Sequence, residues 1–294
     1  MPKVSIIVPN YNYARFLPER MESIFSQTYQ DYEVILLDDC STDDSRELLT
    51  EYAKHEKVTH CIFNEQNSGS PFEQWHKGVM LARGEWIWIA EADDVADSCF
   101  LDRMMEVAIK SFDVTMIFSH LRCIDANGKL IFQQQETEDV LYTGEQFIKE
   151  KLIYSTTIFN VSSCVFRRET YLQLDTMKYR SMKKGGDYMF YVLMAEHGCV
   201  FECGSVLDNF RCHAKSTSHS AGAFYHKTEG LNILDYITSN HKIKQSKYIL
   251  SYAKYVDDSN FSSKDKFLLH IEYVKHGYWM MPIVSLLYQI KRLF

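Results

Sequence analysis

The sequence predicts an α/β protein built on a mostly parallel, doubly wound, Rossmann-like sheet with flanking helices. Three observations carry this. Strand-like apolar runs alternate with stretches of helical spacing as far as Lys110, joined by short connections. Two of those runs, Val34 to Leu37 and Trp86 to Ala90, lead into adjacent aspartates, Asp38-Asp39 and Asp93-Asp94. Ligands of open parallel sheets bind at the carboxyl ends of the strands, and four carboxylates gathered there repel one another unless a cation or hydrogen-bond donors sit among them. A divalent metal carrying a diphosphate meets that need. Finally, the character changes after about Ala221, since no glycine or proline interrupts 231–276. This places a boundary near 220, with a sheet domain over 1–220 and a helical C-terminal extension over 221–294.

Each element has a local reason. Val4 to Val8 reads as a buried first strand, broken at Pro9-Asn10-Tyr11-Asn12; Leu17, Met21, Ile24, Phe25 and Thr28 then follow helical spacing. Residues 33–37 form a second strand. Ser41 or Thr42 is expected to cap the next helix, with Asp43 and Asp44 in its first turn, where the helix dipole favours acids. Val58 to Phe63 is a third strand and Asn64 to Ser70 a polar loop. A helix from Pro71 to Arg83 follows, with proline at a favourable early position, and Gly84 ends it. Trp86 to Ala90 is the fourth strand. Asp97 or Ser98 opens a helix to about Lys110, and Val114 to Ser119 is a strand. Asp125-Ala126-Asn127-Gly128 marks a hairpin turn between Arg122–Ile124 and Leu130–Phe132. A helix over 144–153, a strand near Ser163 to Phe166, a helix after Gly185-Gly186-Asp187, and short strands at Cys199 to Glu202 and Val206 to Arg211 complete the domain.

Composition narrows the function classes. The chain is 46% hydrophobic and 24% charged, ordinary for a globular protein. Its net charge of −7 is uneven: residues 241–294 hold nine Lys or Arg against four acids. An acidic body argues against nucleic acid as a partner, and a basic tail is compatible with an anionic membrane surface. Trp279, Met280, Met281, Ile283, Val284, Leu286, Leu287 and Ile290, with Lys291 and Arg292, are the residues expected at such an interface; a terminal helix packed on the protein is the alternative. The eight cysteines include no CxxC pair, so free thiols in a reducing cytosol are expected. The first apolar stretch is too short for a signal peptide, and the longest, Tyr278 to Tyr288, is too short for a span. A cytoplasmic protein, peripheral on the membrane, is the expectation.

Several nucleotide schemes are excluded. PNYNYAR stands where a dehydrogenase has GxGxxG, and there is no GxxxxGK[ST], GxSxG or HExxH. What remains resembles the family 2 glycosyltransferases, which have the GT-A fold. The resemblance rests on Val4-Ser5-Ile6-Ile7-Val8-Pro9-Asn10-Tyr11-Asn12, on Val34 to Ser45 with its central Leu37-Asp38-Asp39-Cys40-Ser41, and on Ala82-Arg83-Gly84-Glu85-Trp86-Ile87 leading into Glu91-Ala92-Asp93-Asp94, in that order and spacing. It thins through 120–180, resumes at Gly186-Asp187 and Arg211-Cys212-His213, and is absent from the tail.

The resemblance implies an inverting, metal-dependent transfer from a nucleotide diphosphate sugar, UDP-linked, to a hydroxyl of a glycan or lipid-linked acceptor in cell-surface polysaccharide synthesis. It implies Asp39 as acceptor of a base N–H, because an ionised acid only accepts. Pro9, Tyr11, Asn12, Asn67 and Gly69 would border the donor, and Asp93 would meet the ribose, or the metal through water. Asp94 and His213 would hold Mg²⁺ or Mn²⁺, which oxygen ligands select, Arg211 would face the diphosphate, and Asp187 would be the general base. Trp75 reads as core rather than site. Two departures stand out: Cys40 where the family often has glycine, and Gly186 where it often has an acid or amide. The two glycines before Asp187 imply a mobile loop. The absence of QxxRW favours a non-processive enzyme. A sugar-nucleotide pyrophosphorylase, or a non-catalytic glycan-binding or scaffold protein of the same fold, are the alternatives.

Overall fold

The computed structural model describes residues 2–111, 113–154, 156–213 and 223–243, with scattered positions between 267 and 283. Its first part alternates β1 (Val4–Asn10), α1 (Leu17–Phe25), β2 (Tyr32–Asp38), α2 (Ser45–Tyr52), β3 (Val58–Phe63), α3 (Pro71–Leu81) and β4 (Trp86–Ile89). β5 (Val95–Ala96), α4 (Phe100–Lys110), β6 (Val114–Asp125), β7 (Leu130–Gln133) and β8 (Val140–Tyr142) follow. The rest comprises α5 (Gly144–Phe147), β9 (Cys164–Arg167), α6 (Arg168–Tyr171), α7 (Met177–Arg180), α8 (Gly186–Ala195), β10 (Cys199–Cys212) and α9 (Ala223–Asn240). One sheet runs in the order β3-β2-β1-β4-β9-β6-β10-β5, with β7 beside β6 and β8 beside β10.

The half predicted as parallel is parallel: β1 pairs β2 and β4, and β2 pairs β3. Beyond β4 the sheet is mixed, because β9 runs antiparallel between β4 and β6 before β6 and β10 pair in parallel. The strands of the parallel half read as unbroken apolar runs because both faces are covered. Side chains alternate between two cores. Ile7, Ile35, Leu37, Ile87 and Ile89 meet α3, α8 and α9 on one side. Ile6, Val8, Val34, Leu36, Trp86 and Trp88 meet α1, α2 and α4 on the other.

Several expectations are revised. The two short strands expected over 199–211 are one strand, bulged between Cys203 and Asp208, and a bulge lets a strand bend without ending. The helix expected over 144–153 is α for one turn and continues as a π-helical turn over Ile148–Leu152. Neither Ser41 nor Thr42 caps α2, whose N-cap is Asp44. The Ser41 hydroxyl instead accepts from the Asn12 amide at 2.9 Å and Asn10 Nδ2 at 3.1 Å, tying the β1 loop to the β2 loop. Gly84 answers to close approach: a Cβ there would lie 2.5 Å from the Ser5 nitrogen.

The boundary drawn near 220 does not separate two cores. Leu231, Ile233, Leu234 and Ile237 of α9 are buried in the cluster that holds Phe72, Trp75 and Phe190. Among the described residues no helix is long and apolar enough to cross a membrane. The proposed interfacial segment over 278–294 lies largely outside them.

Cys40 explains its own oddity. Its φ is +65°, in the left-handed region where Cβ crowds the following carbonyl and glycine is at ease. Cys40→Gly is therefore expected to match or exceed wild-type stability, and Cys40→Val, whose β-branch fits this region least well, to lower it; urea unfolding midpoints check both.

Candidate functional site

At the carboxyl edge of β1, β2 and β4 two cavities meet at Tyr13, Pro71 and Glu91. The first, about 460 Å³, is lined by Pro9, Tyr11, Asn12, Asp39, Asn67, Gly69 and Gln74 among others. The second, about 220 Å³, is lined by Trp75, Asp93, Asp94, Asn160, Lys183, Lys184, Asp187 and Phe210 among others. Of the residues expected at one nucleotide site, all but Arg211 and His213 border these joined cavities, with Asp39 at one end and Asp187 at the other.

Tyr11 is 46% exposed at the cleft. Asn12, at φ +58°, turns the chain and accepts from the Thr42 amide at 2.7 Å. Asp39 is buried, and its carboxylate holds the loop over 64–70. It accepts from Asn64 Nδ2 at 2.7 Å, Gln74 Nε2 at 2.9 Å, the Ser68 amide at 2.9 Å and the Ser68 hydroxyl at 2.7 Å. These donors use the roughly four acceptor positions of a carboxylate, so a base N–H would reach Asp39 in exchange for Ser68. Asn67 donates to the Asp39 carbonyl at 2.9 Å, and Gly69 turns the loop at φ +75°. Asp38, the other member of the pair, is internal, accepting from Asn10 and the Ser41 amide at 2.9 and 3.0 Å.

The two members of the second aspartate pair sit in different surroundings. Asp94 is 2% exposed and fully engaged by protein donors: Ser162 Oγ at 2.6 Å, Asn160 Nδ2 at 2.8 Å and the Arg211 amide at 2.9 Å. Burial, then the charges of Asp93 and Asp208, raise its pKa well above the usual carboxylate range. Asp93 is the partner of His213, whose Nε2 lies 2.9 Å from Asp93 Oδ2. The His213 ring is held edge-on by Tyr13, with centroids 5.5 Å apart. Among the described residues no group of three or more His, Cys, Asp or Glu is arranged to hold an ion.

Arg211, expected to face the diphosphate, is not among the residues that line either cavity. Its guanidinium is buried beneath the aspartates, donating from Nε to the Asp93 carbonyl at 2.7 Å and pairing through NH2 with Glu19 at 2.6 Å. It braces the Asp93 backbone from below.

Glu91 and Arg20 were not singled out from sequence as site residues. Glu91 is half-buried where the two cavities join and accepts from Trp75 Nε1 at 2.7 Å. Burial first, and Asp93 next, push its pKa up to about 8. Trp75 is thus a core residue, as read, that also lines the cleft. Arg20 is fully buried, donates from Nε to the Glu91 carbonyl at 2.8 Å and lies over the Trp88 ring. Its charge acts on Asp94, Asp208, Asp93 and Glu91, so α1 supplies a cation to the acidic cluster. The signal was present: Arg20 shares the apolar helix face of Leu17 and Ile24. Arg20→Met is expected to cost about 3–5 kcal/mol, the range for stranding a buried counter-charge, read as a drop in denaturant unfolding free energy at neutral pH.

Asp187 stands in the first turn of α8. The loop before it is not loose: the amides of Lys183, Lys184 and Gly185 each donate at 2.8 Å to the carboxylate of Glu229 on α9. Gly186 replaces a larger residue because a Cβ there would meet the Phe72 ring at 2.4 Å.

The model for "Glycosyl transferase family 2" matches residues 5–174. An uncharacterized glycosyltransferase of Nostoc is 37% identical over 133 residues, 45% of this chain and 40% of that protein. The poly(ribitol-phosphate) beta-glucosyltransferase of Bacillus spizizenii is 29% identical over 215 residues, 67% of this chain and 33% of that protein. The chain thus spans less than half the length of both relatives. Among solved structures, S. aureus TarS 1-349 in complex with UDP-GlcNAc superposes with a TM-score of 0.66 at 17% identity, over 98% of this chain and 92% of that one. That likeness identifies the GT-A fold.

Proposed function

The chain belongs to glycosyl transferase family 2, and from that premise we propose that it transfers a sugar from a UDP-linked donor, with inversion, to a hydroxyl of a glycan or lipid-linked acceptor in cell-surface polysaccharide synthesis. The observation that carries this is the pair of cavities joined at Tyr13, Pro71 and Glu91, one containing Asp39 and the other Asp93 and Asp187. The first suits a nucleotide and the second a sugar with its acceptor.

In this reading Tyr11 lies along the base, and Asp39 exchanges Ser68 for the base N–H. Asp93 and His213 are the residues that would hold Mg²⁺ or Mn²⁺. A hard carboxylate oxygen with one imidazole fits an ion that draws its other ligands from phosphates and water. When bound, such an ion neutralises charge on the departing diphosphate. Asp94 keeps Asp93 in place by anchoring the same turn to Asn160, Ser162 and the Arg211 amide. Asp187 takes the proton of the acceptor hydroxyl as it attacks the anomeric carbon. Phe72, Trp75, Phe159 and Phe210 wall this end of the cleft and limit water, which would otherwise compete as acceptor.

The test is incubation of the full chain with Mn²⁺ or Mg²⁺ and a panel of nucleotide sugars, with and without glycan acceptors, measuring nucleotide diphosphate release. Acceptor-dependent UDP release supports the proposal. Pyrophosphate-dependent nucleoside triphosphate formation would point to a pyrophosphorylase, and sugar binding without turnover to a scaffold.

A further inference from the structure

We infer that Glu229, on the helix that follows the sheet, is a positioning residue for the transfer proposed above: its carboxylate fixes the backbone that aims Asp187. The inference rests on that reading for the role of Asp187, and on its own geometry for the clamp.

Three consecutive amides, those of Lys183, Lys184 and Gly185, point at one carboxylate, each at 2.8 Å. Backbone amides that converge in this way are otherwise satisfied by water or by a bound anion. Charge-assisted bonds of this kind are about twice as strong as neutral ones, and three of them fix three successive peptide planes. The next two residues are Gly186 and Asp187. Neither glycine before Asp187 has a side chain to restrain its backbone, so an external anchor is required where glycine leaves the chain free. Packing supplies the rest of the restraint. The Phe72 ring fills the place of a Gly186 side chain, and the Ile233 side chain comes within 3.2 Å of where a Gly185 Cβ would be. The α9 helix that carries Glu229 is seated by Leu231, Ile233, Leu234 and Ile237 in the core shared with α8. The clamp therefore ties a rigid element to the start of α8, where Asp187, Lys183 and Lys184 all border the second cavity.

A carboxylate displaced by about 1 Å loses on the order of 10²-fold in rate. In full-length protein, Glu229→Ala is expected to lower turnover about that much while the affinity for UDP, measured by calorimetry, stays within about twofold. Glu229→Gln retains one accepting oxygen and is expected to fall between Glu229→Ala and wild type. In wild type the amides of 183–185 should be protected in hydrogen exchange, and both variants should lose that protection while α8 keeps its own. If turnover is unchanged in Glu229→Gln although 183–185 have lost protection, the positioning role is overturned. If UDP affinity and thermal stability fall together with turnover in both variants, Glu229 is structural only, which also overturns it. A wild-type chain that transfers no sugar while 183–185 are protected would sink the proposed function, not the clamp.

Discussion

Asp187→Asn is expected to leave UDP binding in place and to lower sugar transfer by about 10²–10⁴-fold, the range for a lost general base. The amide is nearly the same size, so the packing of the α8 start survives, but it has no basic oxygen for the acceptor proton. The cavity proposed for the nucleotide does not include Asp187, which is why donor affinity should be spared. Titration calorimetry with UDP and a coupled assay of UDP release, on one preparation, separate the two quantities. Transfer within tenfold of wild type would remove Asp187 from the role of base, and Glu91, at the junction of the two cavities, would be the next carboxylate to test.

Asp93→Ala should have a comparable effect by a different route. The gain in UDP affinity on adding Mn²⁺ should vanish, and transfer should drop by about 10²–10³-fold, as when one preorganised electrostatic contact to the transition state is removed. Asp94→Asn gives the contrast. Its carboxylate already meets Asn160, Ser162 and the Arg211 amide, so the variant should unfold at lower denaturant concentration and keep a residual Mn²⁺ response. A reversed pattern, with Asp94→Asn alone abolishing the response, would restore the assignment expected from sequence.

The sequence made the parallel half of the sheet legible because both faces are covered, leaving unbroken apolar runs between turn residues. Gly84 and Cys40 were visible as motif positions, although only the structure shows the close approach at one and the positive φ at the other. That Asp94 is held by Asn160, Ser162 and the Arg211 amide while Asp93 meets His213 was not legible, because adjacent residues of the same type differ only in which way they face. The placement of Arg211 was hidden for a related reason: its chemistry suits a phosphate, and nothing in the sequence tells that its guanidinium pairs with Glu19. Arg20 and Glu229 lie far in sequence from the carboxylate and the amides they serve, and a single sequence carries no record of such pairings. The mobile loop inferred from Gly185 and Gly186 is instead an anchored one, because glycine signals conformational freedom without saying what restrains it.

The strand order has a consequence for synthesis. β10 lies between β6 and the two-residue edge strand β5, so the last strand of the described residues is laid beside one made well before it. Until residues 199–212 have left the ribosome, β6 presents an unpaired edge along which it will later bond β10. An open edge of that kind invites pairing with the wrong chain. Nascent chains of this protein should therefore need shielding late, after the parallel half of the sheet is already complete.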